Sequence, residues 1–149
     1  MDGLPPVDYT VNVPLAPAAA FDLFTRSMRR WWPLSSHSCG GAEANDVIVE
    51  PRVGGHIVES TRAGATHHWG TIIEWMPPDR LVTTWHPGTP VEQATRLQVT
   101  FTARDRSTDV RILHDGWAAR GAQAAERRND YQAGWRAVMA HYESAARIT

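Results

Sequence analysis

The sequence of 149 residues is 42% hydrophobic and 21% charged, which is typical of one globular domain with one core, and we assign residues 1–149 to a single domain. The formal net charge of −1 gives no electrostatic basis for binding nucleic acid or an anionic membrane, so neither is predicted as a partner. Seven tryptophans are the unusual feature, because wide aromatic side chains can build a core, a ligand cavity or both.

The start of the chain and its cysteine content favour a cytoplasmic protein. Residues 1–6 contain neither the basic region nor the apolar region of a signal peptide. No apolar run approaches the roughly 18 residues that a membrane helix needs. Cys39 is the only cysteine, so an internal disulfide is excluded.

The first third of the chain predicts one strand and one helix. Residues 9–13 alternate apolar and polar side chains, which indicates a strand. Residues 18–28 carry apolar side chains at helical spacing, which predicts an amphipathic helix. The helix runs into the pair Trp31-Trp32, and Pro33 disfavours helix for the residue before it. Residues 34–46, rich in serine and glycine, are predicted to form a loop.

The middle of the chain predicts strands joined by short turns. The predicted strands cover residues 47–50, 56–62, 67–76, 80–86, 94–103 and 108–114. In the third of these, strict alternation places Trp69, Thr71, Ile73 and Trp75 on one face. In the last, His114 falls on the inward face.

Residues 122–147 form the longest helical pattern. One face of that helix is predicted to carry Tyr131, Trp135, Val138 and Tyr142. Gly134 interrupts the helix-forming residues, at a cost of about 1 kcal/mol relative to alanine. A glycine at this position indicates that a strand, a ring or a ligand comes close to the backbone. We therefore expect residues 131–139 to form a wall that limits the size of a ligand.

This order of elements predicts an α+β fold. Strands joined by short turns favour antiparallel pairing, and alternation indicates a sheet covered on one side only. The aromatic face of the last helix is the natural cover. We expect the functional site to lie between that helix and the sheet.

Few residue patterns indicate catalysis or a cofactor. The histidines and carboxylates show no metal-ligand spacing, and no glycine-rich phosphate loop is present, so neither a metal nor a cofactor is predicted. Cys39, with His37 two residues away, could be a reactive thiol. A lone cysteine in a glycine-serine loop is weak support for that role. Glu59 and His114 are the stronger polar candidates, since both can orient a polar ligand atom or act as acid and base.

A series of short motifs resembles a known family. The motifs are Trp31-Trp32, Pro51-Arg52-Val53-Gly54-Gly55, Trp69-Gly70, Pro77-Pro78-Asp79-Arg80-Leu81-Val82, Thr84-Trp85, His114-Asp115-Gly116-Trp117 and Tyr131-Gln132-Ala133-Gly134-Trp135. Together, over residues 9–142, they resemble bacterial proteins similar to the activator of the heat-shock protein 90 ATPase, of the START-like (SRPBCC) superfamily. The resemblance implies a helix-grip fold, like that of the birch-pollen allergen, with about seven antiparallel strands around a long C-terminal helix.

The resemblance also implies a cavity for apolar or amphipathic small molecules, but no catalytic residue. Superfamily relatives include lipid carriers, hormone receptors, polyketide aromatases and cyclases, and the co-chaperone domain. Our first hypothesis is a binding module for a small hydrophobic or aromatic ligand. The predicted ligand-binding residues are Trp32, Glu59, Trp69, Trp85, His114, Trp117, Tyr131 and Trp135.

Two alternatives stay open at this point. One is a cyclase-, aromatase- or hydrolase-like enzyme that uses Glu59 and His114 in the same cavity. The other is a protein-interaction module, either chaperone-related or a homodimer formed through the outer face of the sheet. A chaperone partner is not expected, because the eukaryotic co-chaperone carries this domain attached to another.

Overall fold

Seven strands form one antiparallel sheet, in the order β1-β7-β6-β5-β4-β3-β2, in a computed structural model that describes residues 3–149. Part of the segment 1–6 considered above therefore lies outside the described residues. The strands are β1 Val7–Val13, β2 Ala44–Val49, β3 His56–Thr61, β4 Thr66–Met76, β5 Arg80–Trp85, β6 Thr95–Arg104 and β7 Ser107–Asp115. The α-helices are α1 Pro17–Thr25 and α2 Ala124–Arg147. Short 3₁₀ segments cover Met28–Arg30, Gly41–Glu43, Val91–Gln93 and Trp117–Gln123.

The α+β helix-grip architecture is confirmed. The sheet curls around α2, which buries Trp135, Val138, Met139 and Tyr142 against it. The Tyr142 hydroxyl donates a hydrogen bond of 2.8 Å to the carbonyl oxygen of Ala20 in α1, which ties the two helices together. None of the helices in residues 3–149 is long and apolar enough to cross a membrane.

Two element boundaries differ from the sequence-based prediction by three residues, and the others agree within two. The first helix ends at Thr25 rather than at residue 28, and the chain continues into the 3₁₀ segment Met28–Arg30. The Thr25 hydroxyl donates a hydrogen bond to the Phe21 carbonyl oxygen one turn earlier, as threonines near helix ends often do. The second strand begins at Ala44, inside the predicted loop, because Ala44 already pairs with Thr61 of β3.

The predicted alternation in β4 is wrong at Ile73, whose side chain is 46% exposed while that of Ile72 is buried. The pairing of β4 shifts register twice, once opposite β3 and once opposite β5 between Ile72 and Glu74. Each β-bulge adds one residue, and one extra residue turns the following side chains to the other face of the sheet. The first bulge therefore puts Ile73 on the outer face although Trp69 points inward. The second bulge returns Trp75 to the inner face, where its ring packs against Phe21.

Gly70 lies at the first of these bulges, where β4 passes very close to β5. A Cβ atom at this position would lie 1.9 Å from the carbonyl oxygen of Thr84. We expect Gly70→Ala to lower the free energy of unfolding by about 3 kcal/mol, the upper part of the range for overpacking. Urea unfolding measures this effect. The matched control is Gly134→Ala, where the nearest atom would be His37 Cδ2 at 4.0 Å. Equal stability of the two variants would contradict the prediction.

Candidate functional site: an indole-lined cavity

A cavity of about 220 Å³ lies between α2 and the inner face of the sheet. The sheet contributes Trp69 and Trp85, the segment after the first 3₁₀ turn contributes Trp32, and α2 contributes Tyr131 and Trp135. The full lining comprises Trp32, His37, Ser38, Cys39, Trp69, Trp85, Pro87, Gly88, Tyr131, Gly134, Trp135 and Val138. The wall is thus largely apolar and aromatic.

Four of these indoles, from Trp32, Trp69, Trp85 and Trp135, pack against one another. In the five contacting pairs, the ring centroids are 5.2–5.9 Å apart and the rings are tilted or edge-on. Such angles are favourable for aromatic pairs, but they do not let wide rings fill space completely. The four rings border the cavity, and their exposed fractions are 1–8%.

Three of the four indoles are held by hydrogen bonds to other protein groups. Trp32 Nε1 donates to the carbonyl oxygen of His37 at 2.7 Å. Trp69 Nε1 donates to Glu59 Oε1, and Trp135 Nε1 donates to His114 Nδ1, each at 3.0 Å. These bonds fix the ring planes before any ligand enters.

Glu59 lies behind the cavity wall and does not line the cavity. Its side chain is completely buried. Besides the Trp69 bond, Oε1 accepts the backbone N–H of Cys39 at 2.8 Å, and Oε2 accepts that of Gly40 at 2.7 Å. Both carboxylate oxygens thus bind protein groups, and Glu59 holds the loop that carries Ser38 and Cys39 against the sheet.

His114 also lies behind the wall, on the inward face of β7 as predicted. Since Nδ1 accepts from Trp135, the ring proton is on Nε2, which donates to the Thr95 hydroxyl at 2.6 Å. Burial, together with the nearby charge of Arg120, lowers the pKa of His114 to about 3. The imidazole is therefore neutral at physiological pH and serves to orient Trp135.

Trp117 packs on the far side of His114, with ring centroids 4.3 Å apart, and its Nε1 donates to the His114 carbonyl oxygen at 3.0 Å. Five of the eight residues named from the sequence line the cavity, namely Trp32, Trp69, Trp85, Tyr131 and Trp135. The other three, Glu59, His114 and Trp117, support those rings or the adjacent loop from behind.

Two loop segments of the wall, residues 37–39 and residues 87–88, are not predicted by any pattern in the sequence. Neither segment has a periodic pattern, and their positions depend on long-range contacts such as the Glu59 bonds. The only sequence feature that drew attention to either segment is the position of His37 two residues before Cys39. Burial and the neighbouring Glu59 raise the pKa of the Cys39 thiol, which reduces its thiolate fraction and argues against a reactive nucleophile.

Within residues 3–149, no group of three or more histidine, cysteine, aspartate or glutamate side chains is placed to hold a metal ion. The cavity offers instead an aromatic surface, a few small loop residues and the hydroxyl of Tyr131. This combination suits a flat aromatic molecule better than a metal-bound one.

Comparisons with known proteins agree with the fold. The chain is 30% identical to an anthrahydroquino-gamma-pyrone synthase, Txn09, solved in complex with a compound designated SUM, with a TM-score of 0.60 over 83% of this chain and 84% of that one. Protein MLL2253 from Mesorhizobium loti has 15% identity and a TM-score of 0.70, covering 95% and 98% of the two chains. The Aha1 protein from Colwellia psychrerythraea, a dimer in solution, has 15% identity and a TM-score of 0.67, covering 96% of each chain.

A comparison with curated proteins finds no match in sequence. The family model described as "Activator of Hsp90 ATPase homolog 1-like protein" matches residues 14–146, which is most of the chain. This match agrees with the resemblance drawn from the tryptophan and glycine motifs. The chain therefore belongs to the family of Activator of Hsp90 ATPase homolog 1-like proteins.

Proposed function

We propose that this protein binds a small, flat aromatic molecule in the indole-lined cavity. The observation that carries the proposal is the wall of four indoles, three of them locked by hydrogen bonds, around a space of about 220 Å³. Rings that are fixed in advance lose little conformational entropy when a ligand binds.

The size of the cavity supports a ligand of about two fused rings. A buried apolar cavity of about 150 Å³ is enough to hold one benzene molecule. Burying roughly 300 Å² of ligand surface would contribute about 7 kcal/mol before the cost of association. Apolar contact alone therefore supports micromolar or weaker binding.

Gly134 provides a direct test of this proposal. It lines the cavity, and a side chain built on it would meet no atom closer than 4.0 Å, so a larger residue would extend into the open space. We expect Gly134→Leu to weaken binding of indane, a nearly flat bicyclic hydrocarbon, by at least about tenfold, since the leucine occupies the space that the ligand needs. Titration followed by the indole N–H signals in NMR spectra measures the dissociation constant.

Ala133→Leu is the matched control, because it adds the same side chain at the adjacent, exposed position of α2. Indane should bind to this variant as it does to the unmodified protein. Unchanged indane affinity in Gly134→Leu would count against the cavity as the binding site. Absence of indane binding to the unmodified protein would count against the proposed function itself.

A ring-forming enzyme is the second candidate, favoured by the 30% identity with the anthrahydroquino-gamma-pyrone synthase. Glu59 and His114 both bind other protein groups, so Tyr131 is the candidate proton donor within the cavity. The test substrate is an ortho-hydroxyaryl 1,3-diketone, which closes to a fused gamma-pyrone with loss of one water. Acceleration that is lost in Tyr131→Phe would support the enzyme. A rate equal to the uncatalysed rate would contradict the enzyme hypothesis and leave ligand binding as the proposed function.

A further inference from the structure

The indole N–H of Trp85 differs from those of its three neighbours in the cavity wall. Trp32, Trp69 and Trp135 each donate to a protein acceptor. Trp85 Nε1 is fully buried and has no hydrogen-bond partner among residues 3–149. Buried N–H groups in folded proteins nearly always have an acceptor, so an exception beside a cavity calls for an explanation.

Arg120 supplies a second buried donor nearby. Its side chain is only 8% exposed, and Nε donates to the carbonyl oxygen of Gln93 at 2.9 Å. Nη2 is buried without a partner, and no carboxylate in the described part of the chain forms a salt bridge with this guanidinium. The guanidinium carbon lies 5.8 Å from the centroid of the Tyr131 ring.

The phenol of Tyr131 is close to both groups. Burial raises the pKa of Tyr131, while the charge and hydrogen-bonding groups of Arg120 and Trp85 act in the opposite direction. Both donors are therefore close to the phenol oxygen, although neither Trp85 Nε1 nor Arg120 Nη2 makes a well-formed hydrogen bond with it. We call Trp85, Arg120 and Tyr131 the donor cluster.

We propose that Trp85 and Tyr131, the two members of the donor cluster that line the cavity, bind an acceptor oxygen of the ligand, either a ketone carbonyl or a phenolate, and that Arg120, which does not line the cavity, supports them with its charge. The ligand is then an oxygenated aromatic and not a plain hydrocarbon or a lipid chain. An indole and a guanidinium can only donate hydrogen bonds, and a phenol can donate one. A buried positive charge without a carboxylate also favours an oxygen that carries negative charge. This inference rests on the proposed function, since it concerns the same cavity.

The test compares indane with 1-indanone, which has the same skeleton and one added carbonyl. The ketone is the more water-soluble of the two, so without a specific acceptor site it should bind no more tightly than indane. We expect the unmodified protein to bind 1-indanone at least about tenfold more tightly than indane, because a site built around hydrogen-bond donors rejects an analogue that lacks the acceptor. The Trp85 indole N–H signal, assigned by its loss in Trp85→Phe, should move downfield with the ketone only.

Two variants test the donor cluster. Tyr131→Phe removes one donor, Arg120→Met removes the supporting charge, and each should reduce the ratio of the two affinities to about threefold or less. The ratio is the readout because a general change in cavity shape would affect both probes alike. If Arg120→Met does not fold, Tyr131→Phe and the Trp85 N–H signal still decide whether the acceptor site exists.

The outcomes separate this inference from the proposal on which it rests. Equal affinities for indane and 1-indanone, with an unmoved Trp85 N–H signal, would overturn the acceptor site and leave an apolar binding site. Failure of both probes to bind would overturn the proposed function, and the acceptor site with it.

Discussion

Replacing Glu59 with glutamine should lower the free energy of unfolding by about 3–5 kcal/mol, comparable to breaking a buried ion pair. The carboxylate accepts three N–H groups, from Cys39, Gly40 and Trp69, at 2.7–3.0 Å. An amide has only one oxygen, so at least one of these buried donors would lose its acceptor. The new NH₂ group would also face an N–H group.

Urea unfolding at neutral pH measures this effect, and Glu74→Gln is the matched control. Glu74 forms a salt bridge of 2.7 Å with Arg80, but both side chains are partly exposed. Its loss should cost no more than about 1 kcal/mol. In Glu59→Gln, the loop of residues 38–40 should also become more mobile, which amide hydrogen exchange would detect as lost protection at Cys39 and Gly40. A Glu59 variant as stable as the Glu74 variant would contradict this account of Glu59.

Acidification should destabilise the protein through His114. The pKa of this residue is about 3 in the folded protein, and the ordinary value is 6.5. Between these two pH values, the unfolded chain binds a proton that the folded chain does not, so the free energy of unfolding falls as the pH falls. Above pH 6.5, His114 is neutral in both states and does not lower the free energy of unfolding. The loss is about 2 kcal/mol at pH 5 and about 4 kcal/mol at pH 3.

His114→Asn isolates this contribution, because asparagine can accept the Trp135 N–H but does not titrate. The variant should be less stable than the unmodified protein at pH 7, since the bond from Nε2 to Thr95 is lost. The difference between the two proteins should narrow by about 2 kcal/mol at pH 5. Urea midpoints measured at pH 7, 6 and 5 check this. Parallel stability curves for the two proteins would show that the pKa of His114 is not lowered.

Asp8 and Asp109 also have lowered pKa values, through hydrogen bonds with Arg111 and with Asn12 and Arg104 respectively. Their ordinary pKa of 3.8 confines their effect to more acidic solutions. The difference in stability between pH 7 and pH 5 therefore reports mainly on proton binding by histidine side chains. Subtracting the His114→Asn curve removes the contribution of other groups that titrate in this range.

The elements that the sequence determined by itself are those with local periodicity. Helical spacing from Tyr131 to Tyr142 was enough to place one face of α2 against the sheet, and alternation in β7 was enough to turn His114 inward. These patterns reflect the geometry of a single helix or strand, so they need no knowledge of the partner element. The tryptophan pattern likewise indicated an aromatic wall.

The tertiary structure alone decided which groups face the cavity. The two β-bulges that interrupt the alternation of β4 arise from pairing with neighbouring strands, and the sequence of β4 carries no local sign of them. The loop of residues 38–40 reaches the wall because Glu59, about twenty residues further along, accepts its N–H groups. The free N–H of Trp85 depends on what its neighbours bind, since all four indoles look alike in sequence. Hydrogen-bond direction and loop placement are set by contacts between distant residues, and local periodicity does not encode them.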